Sequence, residues 1–409
     1  MSTMETAGVS PRHSASRPNQ PSLPAIPLIT GLRPMIAYAA VRVVGLVMLA
    51  VFAHRAGKSV LGLLTAWDGN WYIGLAQHGY DTSVSYDAGG LVNTNIAFLP
   101  LFPWLIKAVS VVGVPADGAA VIVASLAGLA AAWAIGLIGT QLYDRRVGLL
   151  LAVLWGALPH AVVQSMAYTE SLFTALAAWA LWALLRRRYI LAGALTTLAG
   201  LTRPTAVALI AAVVLACLVV IVRQVRAGGW RRAWAYGGWR PWVGAVLSPL
   251  GLAGFLVWCA VALHRADAYF WMQDKGWGSS VDLGRMTVHE FGVTLTQERP
   301  LALAVTSLVL VLAVLLCAVL AVDVWRGRAV QAVPVLVYSG VLLLTVLVQG
   351  GDYYYAKGRF LVPAFGLLLP VATALAGARA HVRDAVLGLV VLISGWYGAY
   401  LTIIWYLSP

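Results

Sequence analysis

The stretch Ile96-Ala97-Phe98-Leu99-Pro100-Leu101-Phe102-Pro103-Trp104-Leu105-Ile106 decides how the chain is read, because it is apolar enough for a bilayer yet interrupted by two prolines. Taken as a re-entrant or surface-lying segment, 96 to 112 stays on one side of the membrane. The remaining apolar runs then fall at roughly 36–53, 118–140, 147–160, 171–185, 189–202, 204–222, 243–263, 301–322, 332–349, 360–378 and 385–407. These make about eleven membrane segments, two of them short.

Charge supports this choice. With 96 to 112 outside, the clusters Arg145 and Arg146, Arg186 to Arg188, then Arg223, Arg226, Arg231, Arg232 and Arg240, then Arg326, Arg328, Arg379 and Arg383 fall on one face. Together with Arg12, Arg17, Arg33 and Arg42 they number 18 of the 28 Lys and Arg residues, against Glu5, Asp144, Asp323 and Asp384 among the 15 acids. That face is the cytoplasmic one by the positive-inside rule, whereas counting 96 to 112 as a span scatters the Arg clusters across both sides. The expected location is therefore a multi-pass plasma (inner) membrane protein with a cytoplasmic N-terminus and its acidic loops outside.

Composition agrees: 61% of residues are hydrophobic, 11% are charged, and mean hydropathy is +0.84. This is an all-α polytopic membrane protein. The net charge of +13 does not point to nucleic acid, since the basic residues sit between apolar runs where topology accounts for them. Gly228 to Trp242 reads as a basic, Trp-rich cytoplasmic surface loop attracted to anionic headgroups. Cys217, Cys259 and Cys317 lie in or beside apolar runs without metal-ligand spacing, so neither a disulfide framework nor a zinc site is indicated. Residues 1–34, rich in Pro, Ser and Arg, read as a disordered cytoplasmic tail. The run after them lacks a cleavage site and reads as a retained first helix, so 35–409 form one integral membrane domain.

Chemistry is then sought in the outer segments: the first loop 54–117, the turn His160 to Glu170, the turn Thr202-Arg203-Pro204, the loop 264–300, and Gly350 to Arg359. Asp68, in Trp67-Asp68-Gly69-Asn70-Trp71-Tyr72, reads either as a turn former among interfacial aromatics or as a general base flanked by rings that hold a sugar or isoprenoid. Glu170 reads as a helix N-terminal acid or as part of a polar group with His160, Gln164, Ser165 and Tyr168. Arg203 sits between two short apolar runs. A charge at membrane depth costs roughly 2.5–3.5 kcal/mol on insertion scales, so Arg203 calls for a carboxylate or phosphate partner. Lys357 and Arg359, beside Tyr353 to Tyr355, read as snorkelling cations in an aromatic belt or as phosphate ligands.

In order along the chain, Trp67 to Tyr72 with His78-Gly79-Tyr80, Ala97 to Pro103, Ala167-Tyr168-Thr169-Glu170-Ser171-Leu172-Phe173, Arg203 and Arg359-Phe360-Leu361 resemble the bacterial relatives of the GPI mannosyltransferase that adds the second mannose, the PIG-V-like family. The resemblance implies a GT-C-type bundle whose long first outer loop carries surface-lying helices. It also implies a mannosyltransferase that uses polyprenyl-phosphate mannose at an extracytoplasmic site, with an essential acid that maps onto Asp68. Trp67 and Asn70-Trp71 depart from the family pattern, which bears on the acceptor more than on the donor.

The chemistry needs one base and a few cations, since a sugar phosphate already carries its leaving group. Asp68 is the expected base and Arg203, Lys357 and Arg359 the expected phosphate ligands. Trp67, Trp71, Tyr72, His78, Asp81, His160, Tyr168, Glu170 and Tyr355 are the expected sugar or acceptor contacts, and inversion is the expected outcome. No cofactor is required, and the outer carboxylates permit but do not demand a divalent metal. The expected partners are the lipid-linked donor, a lipid, glycan or protein acceptor, and membrane lipids. Transfer of another polyprenyl-phosphate sugar is the nearest alternative. A lipid or solute transporter is a more distant one, disfavoured by the lack of internal repeats and of mid-helix charges. Impermeant cysteine labelling should find residues 70 and 355 outside and 187 and 232 inside; the reverse pattern would remove the donor assignment.

Overall fold

A computed structural model describes residues 26–87, 89–234 and 238–409, with the backbone alone at 231–233. Helix α1 (Leu32–Arg55) leads into the first long loop, which holds α2 (Val60–Thr65), α3 (Asp68–His78), a ribbon of β1 (Ser85–Tyr86) with β2 (Val92–Asn93), and α4 (Leu101–Ser110). Then come α5 (Ala116–Leu142), α6 (Arg145–Gly156), α7 (Glu170–Leu185), α8 (Tyr189–Gly200), α9 (Ala206–Trp234), α10 (Arg240–Leu247) and α11 (Leu250–Ala262). The second long loop carries α12 (Ala268–Trp277), β3 (Ser280–Val281) and α13 (Arg285–Thr296). The chain continues through α14 (Leu301–Trp325), α15 (Val333–Val348), β4 (Gln349–Gly350), α16 (Lys357–Phe360), α17 (Leu369–Gly377) and α18 (Ala380–Ile403). Strand β3 pairs antiparallel with β4, Ser280 opposite Gly350, which ties the second loop to the segment that carries Arg359.

The all-α polytopic reading holds. Among the described residues seven helices are long and apolar enough to cross a membrane, or eight if Tyr354–Phe360 and Phe365–Gly377, bent by 75°, count as one broken span. Side chains such as Val43, Val47 and Val51 on α1, and Leu308, Leu312 and Leu315 on α14, are exposed at helical spacing, as lipid-facing residues must be. The inside of the bundle is centred on α5, α6 and α7. After Glu170 the 16-residue α7 is mostly apolar and nearly all buried, because α5, α8, α9 and α15 surround it.

Three sequence expectations need correction. The run at 147–160 is a helix only from Arg145 to Gly156, since the chain turns through a 3-10 segment at Ala161–Gln164. Its N-terminus is fixed by Asp144, whose Oδ1 accepts from the Arg146 and Val147 amides. The run at 360–378 is two helices and not one, broken around Pro363. Ordered structure also starts before residue 35: a 3-10 turn at Leu28–Gly31 precedes α1, and the Trp133 indole donates to the Leu28 carbonyl at 2.9 Å. The rest of the expected tail, residues 1–25, lies outside the described residues, as do the side chains of Arg231 and Arg232.

The expected segment at 96 to 112 is a short turn at Asn95–Ala97 followed by α4, ten residues long, packed against α3 and α5 within the first loop. It is too short to span. Arg145 opens α6, Arg186 follows the last residue of α7, Arg326 follows α14 and Arg379 precedes α18, so each stands at a helix end.

Close packing rests on glycine. A Cβ on Gly139 would lie 2.7 Å from the Gly148 Cα, so α5 and α6 meet backbone to backbone, and a Cβ on Gly251 would overlap the Thr197 carbonyl of α8. Gly251→Ala should therefore cost about 1–3 kcal/mol by forcing α8 and α11 apart. A melting temperature in detergent equal to the parent's would show that the two helices separate freely.

Candidate functional site

Asp68 is placed by strained backbone. Trp67 adopts φ 55° and ψ −117°, a conformation that L residues avoid and that costs of order 1–3 kcal/mol, and Asp68 follows as the first residue of α3. The turn is anchored by the Ala167 amide donating to the Leu64 carbonyl at 2.8 Å. Gly69 allows the close approach, since even a Cβ there would come within 3.2 Å of the Ala167 Cβ.

Four charges from four parts of the chain meet here. Arg359 Nη1 lies 2.9 Å from Asp68 Oδ2, and Arg359 Nε lies 3.4 Å from Glu170 Oε1. Arg203 Nη1 lies 2.7 Å from the same Glu170 oxygen and donates to Thr169 Oγ1 at 3.0 Å. Arg359 also donates to Ser408 Oγ at 2.9 Å and stacks over the rings of Tyr168 and Phe360, each 5.0 Å away. Glu170 is 1% exposed and Arg359 5%, so this pairing is screened little by water.

The side chains border an open cleft of about 180 Å³. Asp68, Arg203 and Arg359 form its charged floor, while Phe98, Tyr72, Tyr269, Trp277 and Tyr353 supply aromatic walls and Gln273 an amide. Burial pushes the Tyr72 phenol up to about 12, and burial likewise raises Tyr269 and Tyr353. All three phenols therefore keep their protons at neutral pH and can donate to a ligand.

Among the expected residues, Asp68, Arg203, Arg359 and Tyr72 converge on the cleft, and Glu170 and Tyr168 lie directly behind it. Trp71 supports the wall from outside, stacked on Phe98 at 5.3 Å between ring centroids. His160 is packed beneath Gly358, edge-on to Tyr397, away from the opening. Tyr355 rests against Trp405, and Trp67 contributes its backbone turn.

Lys357, His78 and Asp81 do not border the cleft. Lys357 Nζ is taken by Thr287 Oγ1 and the Gln349 carbonyl, both at 2.5 Å, so it fastens the second loop and does not face a ligand. His78 is exposed at the end of α3, within hydrogen-bonding distance of its own Gly74 carbonyl. The Asp81 carboxylate accepts from the Asn95 amide at 2.8 Å and from Thr94, which closes the loop on itself.

Sequence reading missed Tyr269, Gln273 and Trp277. They stand four residues apart on α12 and so share one face, a spacing that was available to find them. Among the described residues no three His, Cys, Asp or Glu side chains gather as a metal site.

Residues 99–258, about two fifths of the chain, match the family model of dolichyl-phosphate-mannose-protein mannosyltransferases. The fold is similar to that of ArnT from Cupriavidus metallidurans in its crystal structure bound to undecaprenyl phosphate, with a TM-score of 0.50 at 13% identity over 90% of this chain and 75% of that one. The Archaeoglobus fulgidus oligosaccharyltransferase in its apo form aligns with a TM-score of 0.49 at 14% identity, over 89% of this chain and 56% of that one. No curated protein sequence matches the chain. What the chain shares with ArnT is the fold.

Among the described residues Arg359 is the one cation that contacts both acids. Arg359→Gln removes the counterion of Asp68 and one of the two that Glu170 has, and should destabilise the protein by about 3 kcal/mol. Arg359→Lys should recover part of that loss. A thermal melt of the Gln variant within a degree of the parent would show that the ion pairs carry no net stability.

Proposed function

We propose that the chain is a membrane glycosyltransferase that moves a mannosyl residue from polyprenyl-phosphate mannose to a lipid, glycan or protein acceptor. The observation that carries this reading is a carboxylate of Asp68, its side chain 34% exposed, at the edge of a cleft whose floor holds two arginines. The match of 99–258 to a mannosyltransferase model and the family resemblance of the ordered motifs support the choice of sugar.

In the proposed reaction an acceptor hydroxyl attacks the anomeric carbon as the bond from that carbon to the phosphate oxygen breaks. The hydroxyl proton passes to the Asp68 carboxylate, and the polyprenyl phosphate leaves as an anion held by Arg203 and Arg359. Attack opposite the leaving group inverts the anomeric centre. Arg203 suits the phosphate role because its buried Nε has no hydrogen-bond partner among the described residues and its side chain reaches the cleft. The aromatic walls and Gln273 are suited to a sugar, which offers apolar ring faces and hydroxyls together.

The same reading puts the cleft on the outer face of the plasma membrane, with the N-terminus in the cytoplasm. Its support is the way the arginine clusters alternate with the apolar runs along the sequence, which the positive-inside rule reads as cytoplasmic. Asp68→Asn should lower transfer from polyprenyl-phosphate mannose in membranes by about 100- to 10,000-fold with expression unchanged. Near-normal turnover in that variant would remove Asp68 as the base.

A further inference from the structure

Glu170 stands behind the two arginines and does not line the cleft. Its Oε1 is shared between Arg203 Nη1 and Arg359 Nε, and its Oε2 is buried with no hydrogen-bond donor among the described residues. It is the first residue of α7, so its side chain faces two cations and the N-terminal end of a helix dipole. A substrate contact would need access to the cleft, which a side chain 1% exposed does not have.

The charges cancel. Arg203 and Arg359 supply two positive charges, and Asp68 and Glu170 two negative ones. A site built only to grip a phosphate would keep its cations uncompensated. We propose that Glu170 is a positioning residue that fixes the spacing of Arg203 and Arg359 and, by cancelling one of their charges, weakens the hold on the departing lipid phosphate so that product leaves. This rests on the reading of the cleft as a lipid-phosphate-sugar transferase site. Without Glu170 the two guanidinium groups repel each other, and the site carries a net positive charge toward an anion.

The test uses full-length protein in detergent and undecaprenyl phosphate as the probe, with binding and turnover measured for the parent, Glu170→Gln and Glu170→Asp. Glu170→Gln should bind the lipid phosphate about tenfold more tightly or better, because a unit charge a few ångströms away has been removed. Its turnover should fall about tenfold or more as the arginines lose their fixed spacing. Glu170→Asp keeps the charge and shortens the reach, so its affinity should stay within about twofold of the parent while turnover falls. A purely structural acid would instead weaken binding in both variants.

Unchanged or weaker binding by Glu170→Gln, with the parent binding normally, overturns the charge-cancelling role and leaves the transferase reading in place. If Glu170→Gln does not fold, tighter binding by Glu170→Asp overturns it. A parent protein that does not bind undecaprenyl phosphate overturns both.

Discussion

The structure turns on a buried acid at the start of a helix. Glu170 begins α7, the most enclosed helix of the bundle, and its carboxylate is tolerated there only because Arg203 and Arg359 come to it from elsewhere in the chain. An isolated carboxylate in such a place would be expensive, and the attraction within an ion pair offsets that cost only with good geometry and additional polar partners. Thr169 and Ser408 are such partners for the two arginines. The pairing also constrains topology: the turn after α8, the short α16 and the loop before α7 must end at one depth in the bundle.

That requirement explains the irregular backbone around the cleft. The chain departs from straight helices where it delivers a side chain to the site: the φ of 55° at Trp67 before Asp68, the 3-10 turn before Glu170, and the 75° bend after Arg359. In a bilayer such breaks are tolerated where protein or a water-filled cavity satisfies the freed polar groups. Each break here faces the cleft or the packed interior, and the lipid-facing α1, α14 and α18 run without interruption for 24 or 25 residues.

The outline of this arrangement was legible in composition and charge. Apolar run lengths and the segregation of arginines placed the helices and isolated 96 to 112 as a loop segment, because both follow from the cost of moving charge through hydrocarbon. Arg203 and Asp68 stood out for the same reason, as charges with no topological excuse. What charge counting could not distinguish was a cation aimed at a ligand from one aimed at the protein. Lys357 and Arg359 are two residues apart in a helical turn and so point to different sides, one to Thr287 and Gln349 and the other to Asp68 and Glu170. Tyr269, Gln273 and Trp277 carry no charge, so the α12 stripe leaves no mark in a count of charges.

The position of Lys357 has a mechanical consequence for the site. Its ammonium joins the start of α13 to the end of α15, and β3 pairs with β4 on the same side of the cleft. The wall formed by α12 is thus fastened at its far end to the segment that carries Arg359. A shift of that wall large enough to admit or release a bulky ligand must strain the Lys357 and β3–β4 contacts or move Arg359 with it. Since Arg359 touches both acids, motion of the second loop is transmitted to the charged floor through hydrogen bonds already in place. A site held by such supports keeps its geometry when closed and changes it as a unit when opened, which suits the role proposed for it, to hold a phosphate and then let it go.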